Sequence, residues 1–158
     1  MIYLSFKKRK RDVQMNHNTR ENMLNGHNIP PHISEAASWW AKAIYQPTFD
    51  NGDPSPRGDI ASLLAGMLNA NAPVTQEEAE NFKVALTELL MRIAGNLRYF
   101  ELNVDYHPDK ILYDAAVMAG ISSKNCFPWK TQMQIEEDQI SVSAGYGAPY
   151  KIIWRKTT

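Results

Sequence analysis

The chain has 158 residues, 44% hydrophobic and 22% charged, with 17 Lys+Arg balancing 17 Asp+Glu and a single cysteine. That length buries a core without disulfides or a structural metal, and the composition excludes wholesale disorder, a collagen-like repeat and a disulfide scaffold. The neutral total conceals an asymmetry: residues 1–20 hold Lys7, Lys8, Arg9, Lys10, Arg11 and Arg20 against Asp12 alone, leaving a mildly acidic remainder that is no mimic of DNA.

Residues 1–32 lack a sustained period, are rich in Asn beyond Met15, and carry His17, His27, His32 and Pro30-Pro31. They read as a flexible basic arm ahead of one domain over residues 33–158. Ser34 is the expected N-cap of a first helix running to Tyr45 and stopped by Pro47. Its apolar face is Ile33, Ala37, Trp40 and Ile44, with Trp39 turned about 100° away. After the turn formers of Phe49 to Pro56, a second helix is expected from Pro56 to Asn69, where Ile60, Leu63, Leu64, Met67 and Leu68 keep a buried stripe.

Thr75-Gln76-Glu77-Glu78 has the form of a capping box and opens a third helix. Ala79, Phe82, Leu86, Leu89, Leu90, Ile93 and Leu97 share one side of it, while Glu80, Lys83, Thr87 and Arg92 fall largely on the other. Leu102, Val104 and Tyr106 alternate with polar residues as in a short strand. His107-Pro108-Asp109 then starts a fourth helix with proline at its first position, faced by Ile111, Leu112, Ala115, Ala116 and Ala119 and closed by Gly120-Ile121.

From Lys130 the period becomes two. Met133 and Ile135, then Ile140, Val142 and Ala144, then Tyr150, Ile152 and Trp154 predict three strands joined at Glu136 to Gln139 and at Gly145 to Pro149. The expected fold is α+β: three N-terminal helices, a short strand, a fourth helix, and a C-terminal three-stranded antiparallel meander packed on the helices.

Cys126 alone makes no intramolecular disulfide and belongs to no CxxC pair, so a reducing, cytoplasmic setting is expected. The apolar stretch Met1 to Phe6 precedes the basic run, the reverse of a secretion signal, and charges such as Lys83, Glu88 and Arg92 interrupt every apolar segment. No membrane contact is expected.

For catalysis, Cys126 and His107 with Asp105 or Asp109 supply the residue types of a nucleophilic site. The plainer reading makes Cys126 a small buried residue and His107 the lead into a helix. Asp50, Asp53 and Asp59 are oxygen donors for a hard cation, but their loop lacks the EF-hand pattern and turn aspartates ordinarily accept from backbone N–H groups, so no metal is expected. Gly145-Tyr146-Gly147 lacks the third glycine of a dinucleotide fingerprint, and no Walker A, GxSxG or HExxH motif occurs, so no cofactor is expected either. Lys7, Lys8, Arg9, Lys10 and Arg11 would give salt-sensitive, sequence-independent contact with nucleic acid, against the simpler reading of a solvated tail.

For protein contact, Pro128-Trp129-Lys130 combines a stiff backbone, a large ring and a cation, and Tyr146 and Tyr150 flank a glycine-rich turn. Trp129, Lys130, Tyr146, Tyr150 and Trp39 are the expected contact residues, although burial of Trp129 as core is the heavier expectation. Taken in order, Tyr106-His107-Pro108-Asp109-Lys110-Ile111-Leu112, Pro128-Trp129-Lys130-Thr131 and Tyr146-Gly147-Ala148-Pro149-Tyr150 resemble small phage and prophage proteins of mobile elements, over about Ser34 to Trp154. In that pattern the position of His107 is usually glycine, which counts against a catalytic histidine. The resemblance implies a protein of phage or mobile-element origin that acts by binding a host or phage protein, such as a CRISPR, restriction or other defence complex. A small hydrolase or transferase using His107 and Cys126, and nucleic-acid binding through the arm, are the alternatives.

Overall fold

In the computed structural model the residues described are 28–45, 74–94, 98–122 and 126–157. The expected helix at Pro56 to Asn69, the cations Lys7 to Arg11, and Asp50, Asp53 and Asp59 lie outside them. Within the described residues the fold is α+β, with three helices and one four-stranded antiparallel sheet.

Helix α1 spans Pro31–Tyr45 and begins earlier than a Ser34 cap implies. Proline in the first turn loses no hydrogen bond, and the Pro30 carbonyl accepts from the N–H groups of Ile33 and Ser34 at 3.0 and 3.2 Å. Ser34 therefore sits inside the helix. The expected face is the buried one: Ile33, Ala36, Ala37, Trp40, Ala41 and Ile44. Helix α2, Gln76–Ala94, opens on the reciprocal box read from sequence. Glu78 N–H donates to Thr75 Oγ1 at 3.1 Å, and Thr75 N–H donates to the Glu78 carboxylate at 2.9 Å. Thr87, expected outside, is buried, because its hydroxyl satisfies itself by donating to the Lys83 carbonyl at 2.8 Å.

Strand β1 covers Tyr99–Val104, earlier than Leu102 to Tyr106, with Phe100, Leu102 and Val104 pointing inward. Tyr106 is left beyond the strand and exposed. Helix α3, Lys110–Met118, is capped by Asp109 and not begun by Pro108, which instead forms a β-bridge with Val104. The Asp109 carboxylate accepts from Leu112 N–H at 2.9 Å and from Asn103 N–H at 2.7 Å, tying the helix start to β1. At the other end Gly120, at φ 81°, closes a Schellman motif: Ile121 N–H donates to the Ala116 carbonyl at 2.9 Å and Gly120 N–H to that of Val117 at 3.1 Å.

Strands β2 (Thr131–Glu136), β3 (Gln139–Ala144) and β4 (Lys151–Arg155) form the expected meander. The lone strand is not separate from it: β1 pairs antiparallel with β2, giving the order β1-β2-β3-β4. A bulge between Ile140 and Ser141 shifts the last register, so Ile140 faces Trp154 but Ser141 faces Ile152. Ile152 and Trp154 consequently do not share a face, because the extra residue reverses the alternation. The helices cover one side of the sheet: α2 packs between α1 and α3, and α1 lies on β2 and β3.

Phe127 joins the layers. Its ring meets Trp40 of α1 at 6.4 Å and Phe82 of α2 at 5.8 Å, both edge-on, and Cys126 and Pro128 beside it are buried. Trp39 is half-buried, edge-on to Trp40 at 5.1 Å.

His32, in the first turn of α1, lies 6.4 Å from the Trp154 ring of β4. Burial lowers its pKa from 6.5, with Glu137 pulling it partly back up and Lys156 adding to the drop. The unfolded chain then binds the proton more readily, so stability is level above 6.5 and falls as pH drops through the lowered folded-state value. Urea midpoints across about pH 5–8 should therefore slope less for His32→Gln than for the parent chain. Identical slopes would contradict the shift.

Candidate functional site

Three connections meet at one end of the sheet: the β1–α3 loop with Asp105, Tyr106 and His107, the approach to β2 with Trp129 and Lys130, and the β3–β4 turn from Gly145 to Tyr150. Their meeting follows from the pairings, since Val104 is opposite Thr131 and Thr131 is opposite Ala144. Residues far apart in sequence thus emerge side by side.

Lys130 is the centre of this cluster. Its backbone is left-handed, at φ 51°, a conformation that costs a side-chain-bearing residue about 1–2 kcal/mol. The position is pinned from both sides: Lys130 N–H donates to the Asp105 carbonyl at 3.3 Å, and its own carbonyl accepts from Gly145 N–H at 2.9 Å. The ammonium forms an ion pair with the Asp105 carboxylate. It also stands 4.1 Å from the centre of the Tyr106 ring and 4.8 Å from that of Tyr146. Each such cation–π contact contributes about 0.5–1 kcal/mol at an exposed site, enough in pair to offset the backbone strain.

The two tyrosines close the cage with hydroxyls 3.0 Å apart, and this shared hydrogen bond raises the pKa of Tyr106. Gly145 and Gly147 adopt φ 103° and 63°, so the turn carrying Tyr146 needs residues without a Cβ. The Ser143 hydroxyl donates to the Ala148 carbonyl at 2.7 Å, and Tyr150 donates to Gln132 at 2.8 Å. Held in this way, the rings remain open to solvent: Tyr106 is 60% exposed, Tyr146 75%, Trp129 45% and Tyr150 43%.

Trp129 corrects the expectation of core burial. Phe127 and Pro128 fill the space beneath, so the next side chain points outward while Thr131 returns to the interior. Of Trp129, Lys130, Tyr146 and Tyr150, expected to form one contact surface, Lys130 and Tyr146 meet, while Trp129 adjoins Lys130 in sequence and Tyr150 lies on the same connection as Tyr146. Trp39 is on α1 beside Trp40 and contributes to the core. Sequence reading missed Tyr106 and the pairing role of Asp105, although both lie within or next to the motif that begins at Tyr106. The only available signal was their position just beyond a strand end.

The catalytic set is dispersed in environment. His107 is exposed on its loop, whereas Cys126 is 1% exposed and burial pushes its thiol up to about 12. At neutral pH such a thiol stays protonated, the opposite of an activated nucleophile. Asp109 gives both carboxylate oxygens to backbone N–H groups. Among the described residues no group of three or more His, Cys, Asp or Glu side chains is arranged to hold a metal ion. A shallow depression of about 280 Å³, lined by Tyr113, Ala116, Val117, Ile121 and Phe127 among others, is largely apolar and contains no acid–base pair. No described helix is long and apolar enough to cross a membrane.

No protein-family model matches this chain, and no curated protein matches it in sequence.

Proposed function

We propose that this protein is a binding module that contacts another protein through the loop end of its sheet. The observation that carries the reading is the two exposed rings, Tyr106 and Tyr146, around the Lys130–Asp105 pair, with exposed Trp129 and Tyr150 on the same connections. Tryptophan and tyrosine on a preorganised loop surface supply binding area at little entropic cost, which is the chemistry of an interface anchor. The buried, protonated Cys126 and the structural use of Asp109 favour binding over catalysis. With the motif resemblance, the reading extends to a phage or mobile-element protein acting in the cytoplasm on a host or phage protein, a defence complex being one such target.

The test is affinity capture of the tagged full chain from nuclease-treated bacterial lysate, with Trp129→Ala alongside. A stoichiometric protein partner is expected, weakened by about 2 kcal/mol or more in the variant. Thermal stability should change by less than about 0.5 kcal/mol, as for other exposed positions. Full retention of the partner by Trp129→Ala would remove this surface from the interaction.

A further inference from the structure

β1 and β4 are the two edges of the sheet, and they are finished differently. On β1, Asn103 gives its N–H to the Asp109 carboxylate and its carbonyl accepts from Asp109 N–H at 2.8 Å, so both of its backbone groups are taken. Next to it, Val104 bridges to Pro108, whose nitrogen has no hydrogen to offer. That edge is closed around Asn103. Among the described residues β4 has no comparable cover. Ile152 is 50% exposed and Ile153 38%, and only Trp154 is half-buried. An open edge presents a row of backbone donors and acceptors ready to pair with another strand.

The charges on this edge select what pairs with it. Lys151, Arg155 and Lys156 are exposed and all positive. Arg155 donates to the neutral amide of Gln139, and among the described residues the Lys156 ammonium pairs with the well-exposed Glu137, at 3.9 Å. We propose that β4 accepts an extended acidic segment of a partner protein as a fifth strand. This deepens the interaction reading above and rests on it, since Tyr150 leads directly from the aromatic cluster into β4. Backbone hydrogen bonds supply affinity in strand addition and alternate side chains supply choice. Here glutamates or aspartates at alternate positions would stand opposite Lys151 and Arg155, and β-branched residues opposite Ile152 and Trp154.

A second copy is the poorer occupant. Antiparallel pairing about Ile153 sets Lys151 against Arg155, and parallel pairing in register sets each cation against its twin, both destabilising. The basic run Lys7 to Arg11 of the chain itself meets the same repulsion.

The test uses the full chain with two blocked peptides of about eight residues, one alternating valine with glutamate and one alternating valine with lysine. Binding is read by amide shifts and amide exchange. The glutamate peptide is expected to protect those β4 amides that face away from β3, and to bind at least about tenfold more tightly than the lysine peptide. Reversing Lys151→Glu and Arg155→Glu together should invert that preference. Equal affinities, or no protection in β4, would overturn the proposal. So would protection before peptide is added, which identifies a second copy if it grows with protein concentration and the chain's own segment if it does not. Shifts confined to Trp129 and Tyr146 would reject strand addition while leaving the loop-end interface standing. Loss of the Trp129→Ala effect with β4 protection intact would do the reverse.

Discussion

Trp40→Ala should lose about 3–5 kcal/mol of folding stability, the range for deleting a large aromatic side chain from a packed core. Trp40 has no exposed surface and bridges Trp39 on its own helix to Phe127 in the segment before β2. Phe127 in turn packs on Phe82, so the cavity would open where α1, α2 and the sheet approach are held together. Partial collapse of the site cannot restore contact with all three. Trp40→Phe provides the control. The buried indole N–H meets no acceptor among the described residues, so phenylalanine forfeits area but no hydrogen bond to them. Chemical denaturation should rank parent, Trp40→Phe and Trp40→Ala in falling order, with the alanine variant well separated. An alanine variant within about 1 kcal/mol of the parent would mean that Trp40 is not a keystone of the core.

The second large effect is expected at Asp109, for a different reason. Its carboxylate caps α3 through Leu112 N–H and also receives Asn103 N–H from β1. Removing a helix cap costs about 0.5–2 kcal/mol, and orphaning a partly buried donor costs about 1–3 kcal/mol more. Asp109→Ala should therefore lose about 2–4 kcal/mol, whereas Asp109→Asn keeps one carbonyl oxygen and should fall between. The checking measurement is urea unfolding combined with amide exchange at Asn103 and Leu112. If only the Leu112 amide accelerates in Asp109→Ala, the tie to β1 carries little energy. A residue whose types suit catalysis thus has its capacity committed to holding a helix against a strand.

The legible parts of the chain are those in which a local rule is complete within a few residues. The Thr75–Glu78 box needs only two side chains and two backbone groups, and it forms as read. The Gly120-Ile121 ending is equally local, as is the turn at Gly145 to Gly147. Periodic burial in α1 and in β2 and β3 also follows from the sequence, because a stripe or an alternation states which side must leave water. Errors gather where a second segment competes. Pro108 reads as the first residue of a helix until Val104 engages it, and β4 reads as alternating until the bulge in its pairing with β3 reverses one end.

The site shows the same division. Tyr146 and Tyr150 read as surface chemistry from the glycines and proline beside them, and Lys130 from its charge, whereas Trp129 reads more heavily as core. Whether Trp129 lies in or out depends on Phe127 having already filled the space against Trp40 and Phe82. The left-handed backbone of Lys130 carries no mark in the residue itself, because it is imposed by Asp105 and Gly145 on two other loops.

Local rules in the sequence alone were enough for the α+β class, the inward faces of α1, β2 and β3, the Thr75–Glu78 box, the Gly120 ending and the Gly145 to Gly147 turn, all governed by interactions spanning one helical turn or one hairpin. Tertiary structure decided that β1 joins the meander, that Tyr106 meets Tyr146 across 40 positions, and that one sheet edge is closed while the other is left open by the described residues. Those outcomes depend on pairings between distant segments, whose energies exist only once the strands have brought them into contact.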